Sequence, residues 1–265
     1  MTVLITVKAY PTISTKYGEA VCVAGVRLDA PGGPEFIRLF PVGFRDLERS
    51  SQFAKYQVIR LRAQRHTTDT RLETWRPDVH SIEVLHPVPA GGHWPARRAH
   101  LEPLVGPTMC ELNRGRKGGA KGPSLGLVRP ALVKGLKVRD EEPWSAGQQG
   151  TAGQGSLLIE KTELIKPELA FSYDWVCEEP GCKGHTQKIV DWELGESCRS
   201  WGYTGQKLID AVEGKWIGEM CAPGREPMFF VGDQHTRPGQ FLILGTFWPQ
   251  RRPDADQLTL DLFAA

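Results

Sequence analysis

Short runs of β-branched and apolar residues mark out both halves of the chain. In the N-terminal third, Thr2–Lys8, Glu19–Leu28, Glu35–Phe40 and Tyr56–Ala63 are rich in β-branched and apolar residues. The turn-forming stretches PTISTKYG and DAPGGP separate them, so each reads as a strand. Ser81–Leu85 adds a further run. Phe44–Lys55 has a helical spacing instead, with Leu47 near Phe53 and Tyr56 while Arg45, Arg49 and Lys55 point outward. The pattern predicts an antiparallel barrel or compact sheet of about five strands with one helix.

The second half is also β-rich. Ser124–Val128, Ala131–Val138, Ala170–Val176, Gln187–Glu193, Pro227–Val231 and Gln240–Trp248 read as strands. Thr204–Met220 reads as an amphipathic helix, because Leu208, Ile209, Val212, Trp216 and Met220 share one face and Thr204 suits an N-cap. Between the halves, PVPAGGHWPARRAH and NRGRKGGAKGPS interrupt every period, and SAGQQGTAGQGS reads as an excursion between two strands. The expected organisation is a β-rich domain over 1–90 and a basic flexible connector over 91–123, then a β-rich zinc-binding domain over 124–250 and a tail over 251–265. The fold class is therefore mainly β: two small barrel or sheet halves with a few helices.

Composition sharpens this picture at three points. Gly 29 and Pro 20 support many turns and argue against a helical bundle. Lys and Arg total 33 against 31 Asp and Glu, so the net charge of +2 does not by itself mark a nucleic-acid binder. No apolar run approaches the roughly 18 residues of a membrane span, and MTVLITVKAY lacks a signal-peptide pattern, so the expectation is a cytoplasmic protein without a membrane partner. The six cysteines then read as metal ligands or buried thiols rather than disulfides.

Three of those cysteines bear on chemistry. Cys177, Cys182 and His185 follow C-x4-C-x2-H, two soft thiolates and an imidazole on a short Pro-Gly loop, a set that suits structural Zn²⁺. Cys198 is the expected fourth ligand, with Cys221 or His235 as alternatives. Asp191 and Glu193 lie two apart on the expected strand and so share a face, where they can hold Mg²⁺ or divide acid and base roles. His235, between Asp233 and Arg237 in the loop GDQHTRPGQ, joins them as a candidate catalytic residue. Arg97, Arg98, Arg114, Arg116, Lys117 and Lys121 are the candidate DNA contacts, since glycines around them let cations follow a phosphate backbone.

The tail carries the most specific pattern. After PQRRPDAD come Gln257, Leu258, Thr259, Leu260, Asp261, Leu262 and Phe263. This stretch resembles the bacterial sliding-clamp-binding peptide of translesion polymerases and mismatch-repair proteins, Q-L-x-L-x-L often ending in Phe. Gln257, Leu258, Leu260, Leu262 and Phe263 match it position for position. Four large apolar side chains on a short tail need a groove, and the glutamine amide fixes register there. The resemblance implies a DNA repair, replication or DNA-processing factor with the clamp and DNA as partners. It leaves open a metal-dependent nuclease, a base-processing enzyme or a non-catalytic factor. The competing readings are a zinc-containing enzyme or binding protein acting on a nucleotide or small molecule, and an interaction module in a defence system.

Overall fold

Strand β1 (Thr2–Lys8) shows how the molecule is built, because apolar residues fill both of its faces. In the computed structural model, which describes residues 1–14, 18–145 and 164–252, Val3 and Ile5 enter one apolar core while Leu4 and Val7 enter another. Leu4 and Val7 are three apart, so strict alternation would separate them. A bulge between Ile5 and Val7 absorbs the extra residue, Thr6, whose hydroxyl donates to the Ala24 carbonyl at 3.4 Å.

The N-terminal half forms one sheet around β1. Its other strands are β2 (Thr12–Ser14), β3 (Gly18–Arg27), β4 (Glu35–Val42), β5 (Gln57–Arg60), β6 (Ala63–Arg65), β7 (Thr74–Pro77) and β8 (Glu83–Pro87). The order is β6-β7-β4-β3-β1-β5-β8, with β2 paired to β3. All neighbours are antiparallel except β4 and β7. The second half adds two three-stranded sheets. One is β10 (Pro130–Asp140), β11 (Leu169–Cys177) and β12 (His185–Lys188); the other places β13 (Met228–Gln234) between β14 (Arg237–Phe247) and β9 (Leu125–Val128). The chain is mainly β, as its β-branched and apolar runs predict.

The β13–β14 pair is the shared wall of the molecule. Met228 and Phe230 pack with Leu4, Val7, Leu244 and Phe247 on the side of the N-terminal sheet. Phe229 and Val231 pack on the other side with Phe171, Tyr173, Trp175 and the helices. Those helices are α1 (Pro95–Leu101), α2 (Met109–Arg116), α3 (Trp192–Trp201) and α4 (Gly205–Glu213), the last continuing as a π-helical turn over Gly214–Glu219. Leu208, Val212, Trp216 and Met220 are buried along it, as the amphipathic spacing requires. No helix among the described residues is long and apolar enough to cross a membrane.

Three local expectations need correction. Phe44–Lys55 is not a helix but holds two 3-10 turns, Phe44–Asp46 and Arg49–Ser51. Phe44 and Phe53 meet edge to face at 5.0 Å in one core. Nine residues of α-helix would turn them to opposite faces, at about 100° per residue. The strand expected through Glu193 ends at Lys188, and the Asp191 carboxylate caps α3 by accepting from the Glu193 amide at 3.1 Å. Residues 91–123 are not a flexible connector: α1 starts with Pro95 in its first turn, and Thr108 and Glu111 close a capping box at the start of α2. The expected excursion SAGQQGTAGQGS falls almost wholly outside the described residues.

Burial on both sides of β13 ties the halves into one cooperative unit. Phe229→Ala and Phe230→Ala are each expected to cost about 3–5 kcal/mol. Both variants should still unfold in one transition, with circular dichroism and tryptophan fluorescence coincident in urea. Two resolved transitions, one per half, would contradict the shared wall.

Candidate functional site

The hairpin of β11 and β12 carries most of a sulfur–nitrogen cluster. Trp175 pairs with His185 across it, so Cys177 at the end of β11 and His185 at the start of β12 lie side by side. The connecting loop turns through Gly181 and Gly184 at positive φ and returns Cys182 to the same point. The fourth member is Cys110, in the first turn of α2, and the four ligand atoms lie within 4.8 Å of one another. Cys110 and Cys177 sulfurs are 3.7 Å apart, and His185 Nε2 lies 3.2, 3.4 and 3.6 Å from the sulfurs of Cys182, Cys177 and Cys110. A tetrahedral zinc, with bonds of about 2.3 Å to sulfur and about 2.0–2.1 Å to nitrogen, has edges of about 3.8 and 3.6 Å. The Cys110–Cys177 and Cys110–His185 separations match these edges, while Cys177 and Cys182 approach His185 more closely.

Its surroundings hold the ligands in place. Glu179, in the ligand loop, accepts from the Thr108 hydroxyl at 2.8 Å and from Arg114 Nη2 at 3.0 Å, docking the start of α2 on the hairpin. The Cys182 sulfur accepts the Gly184 amide at 3.4 Å. Burial, then hydrogen bonds with Cys177 and Cys182, push the Cys110 thiol up to about 12. Three sulfurs crowded in this way become thiolates together only around a cation. Cys110, Cys177, Cys182 and His185 are thus a group that can hold a metal ion.

Cys198, expected as the fourth ligand, belongs elsewhere. It lies in the apolar core on α3, where burial pushes its thiol up to about 11. Cys221 and His235 are not in the cluster either. Sequence distance hid Cys110, although the Thr108–Glu111 capping signature places it in a helical first turn.

The carboxylates expected to share a strand face instead share a lysine. Lys55 Nζ lies 3.6 Å from Asp191 Oδ2 and 3.1 Å from Glu193 Oε2, and the Lys55 and Asp191 side chains are 8% and 4% exposed. Burial opposes the charge on Lys55, yet Asp191 and Glu193 outweigh it and hold the ammonium above its ordinary range. Burial likewise pushes the Asp191 carboxyl upward despite Lys55. Lys55 thus ties Asp191 and Glu193 to the N-terminal half through a buried ion pair with Asp191 and a second, more exposed one with Glu193.

The six candidate DNA contacts do not form a free cationic strip. Arg98 is 2% exposed and pairs with Glu102 and Glu226, and Arg116 is 3% exposed and pairs with Asp233 at 2.8 Å. Arg114 is held by Glu179, while Arg97 lies over the Tyr56 and Trp94 rings and donates to the Val88 carbonyl. Arg114, Lys117 and Lys121 are the exposed ones of the six, and Arg114 is committed to Glu179. The reason is that 91–123 folds into helices whose arginines meet the fold's own acids.

Asp191 and His235 do reach one common space. A cavity of about 810 Å³ opens at the seam between the halves, bounded by residues 9–11 after β1, β4, the segment 66–71, β11, α3 and the β13–β14 hairpin. Its polar wall is a chain of charges: His235 Nδ1 is 3.4 Å from Asp69, Asp69 is gripped by Arg71, Arg71 donates to the Asp233 carbonyl at 2.8 Å, and Asp233 pairs with Arg116. Burial opposes its charge, but the bidentate Arg71 guanidinium holds the Asp69 carboxyl well below the usual carboxylate range. Glu193 does not line this cavity.

Residues 105–263 match the model of a domain of unknown function (DUF8757), and residues 1–103 match that of a second domain of unknown function (DUF8758). No curated protein matches the chain.

Two outcomes are expected from mutation of these groups. Cys110→Ser should lose stoichiometric metal by mass spectrometry, whereas Cys198→Ser should retain it; the reverse result would return Cys198 to the ligand set. Lys55→Met should destabilise by about 3–5 kcal/mol, because it strands a buried carboxylate, and Asp191→Leu added to it should recover part of that loss. A double-mutant cycle in urea measures both.

Proposed function

We propose, for a chain that belongs to the DUF8757 family, that it is a DNA repair, replication or DNA-processing factor brought to its substrate by the bacterial sliding clamp. The observation that carries this reading is the run Gln257, Leu258, Leu260, Leu262 and Phe263, which lies outside the described residues. Among the described residues, the three apolar cores run no further along the chain than Trp248. The last anchors of the described chain are Arg251, whose amide donates to Gly224, and Arg252, which pairs with Glu102. In this reading the Cys110, Cys177, Cys182 and His185 group holds zinc with four protein ligands, a structural staple rather than a reaction centre. DNA affinity then comes mainly from tethering, since few of the expected cations are free to meet phosphate.

A second reading, a protein acting on a nucleotide or small molecule, is favoured by the seam cavity, whose volume lies within the range of small-molecule sites.

Clamp docking is tested by pull-down on immobilised bacterial sliding clamp. Removing residues 257–265 should reduce retention to background while the metal content stays at the full-length level. Undiminished retention by the folded, truncated chain would remove the tail from the interaction and the clamp from the proposal.

A further inference from the structure

Two buried groups on the cavity wall are built for a ligand. Arg38, 1% exposed, hydrogen-bonds only to neutral oxygens among the described residues: Thr74 Oγ1 at 3.4 Å, Ser124 Oγ at 2.8 Å and the Ser124 carbonyl at 3.1 Å. Glu73 grips Ser124 from behind, accepting its hydroxyl and its amide at 2.7 Å each, so the guanidinium is held in position without a carboxylate in contact. Three of its five N–H donors are used, which leaves two. Beside it, Asp233 has one oxygen committed to Arg116 and to the Gly239 amide. The other, Oδ1, is buried without a hydrogen-bond partner, with Arg71 Nη1 only at 4.0 Å. Gly232 joins the two groups: a Cβ placed there would stand 3.3 Å from Arg38 Nη2. A buried acceptor left open is costly, and a buried charge without an ionic partner is more so.

The rest of the cavity completes the pattern. Phe40, Phe171, Leu194 and Leu244 supply apolar wall. Lys166 and Lys188 share the single carboxylate of Glu141, and His235 is 53% exposed beside Asp69. Asp191 and Asp233 are already matched by Lys55 and Arg116, which do not line the cavity, so the field inside is positive. An enclosed donor beside an open acceptor, apolar walls and a cationic surround suit a flat heterocycle bearing a phosphate. We propose that this cavity is a nucleotide site: Asp233 Oδ1 accepts a base N–H, Arg38 donates to the neighbouring acceptor of the same base edge, and His235 with Lys166 receives the phosphate. This inference rests on the second reading above and is independent of clamp docking.

Isothermal titration of the full chain with each 2′-deoxynucleoside 5′-monophosphate, and with inorganic phosphate, tests it. At least one nucleotide should bind ten-fold or more tightly than phosphate. Arg38→Gln should weaken it at least ten-fold, and His235→Ala, at an exposed position that leaves the fold intact, should weaken it several-fold. Metal content at the wild-type level certifies that each variant is folded. Nucleotide and phosphate binding equally would overturn the nucleotide site while leaving an anion site, and so the second reading, standing. Binding of neither would overturn both. Unchanged affinity in folded Arg38→Gln and His235→Ala would place any bound nucleotide outside this cavity and refute the assignment. Removal of residues 257–265 should leave the titration unchanged, which separates this result from the fate of the clamp reading.

Discussion

The structure depends on one constraint: β13 and β14 are buried on both faces. Each successive side chain of Met228–Val231 enters a different core, so the pair cannot be solvated on either side without exposing a row of aromatic and aliphatic groups. The N-terminal sheet needs this wall for the outer face of β1, and the helices need it for their apolar stripes. The seam cavity lies where elements of the other two sheets meet this pair.

Much of this architecture is legible in sequence where the period is strong. Thr2–Lys8 is a strand with the bounds its β-branched run predicts, and the helix after Thr204 follows its apolar face through the π-helical turn. The misreadings share a physical origin. Phe44–Lys55 has helical spacing, but Phe44 and Phe53 must reach one core, and tertiary packing overrides the local period. Asp191–Glu193 alternates like a strand end, yet an Asp followed two residues later by an acidic side chain is equally a helix start.

The candidate site was legible only as far as local spacing reaches. Cys177, Cys182 and His185 sit on one hairpin, and nine residues of sequence hold them all. Cys110 comes from a helix 67 residues upstream of Cys177, and no local pattern links the two. Charge was misread for a related reason. Arg98 and Arg116 look like surface cations in a glycine-rich run, but their acidic partners, Glu226 and Asp233, arrive from the far end of the chain. The same long-range closure hid Arg38, whose environment is made by Thr74 and Ser124.

Helix α2 has a consequence of its own. Its eight residues span about 12 Å at about 1.5 Å per residue, a short rigid strut. Cys110 fixes one end in the sulfur–nitrogen cluster, and Arg116 fixes the other on Asp233. A strut pinned at both ends transmits displacement instead of absorbing it. Cys110 and Arg116 lie less than two turns apart at about 3.6 residues per turn, so the sulfur–nitrogen cluster and the Asp233 edge of the cavity sit at a set separation along one short helix.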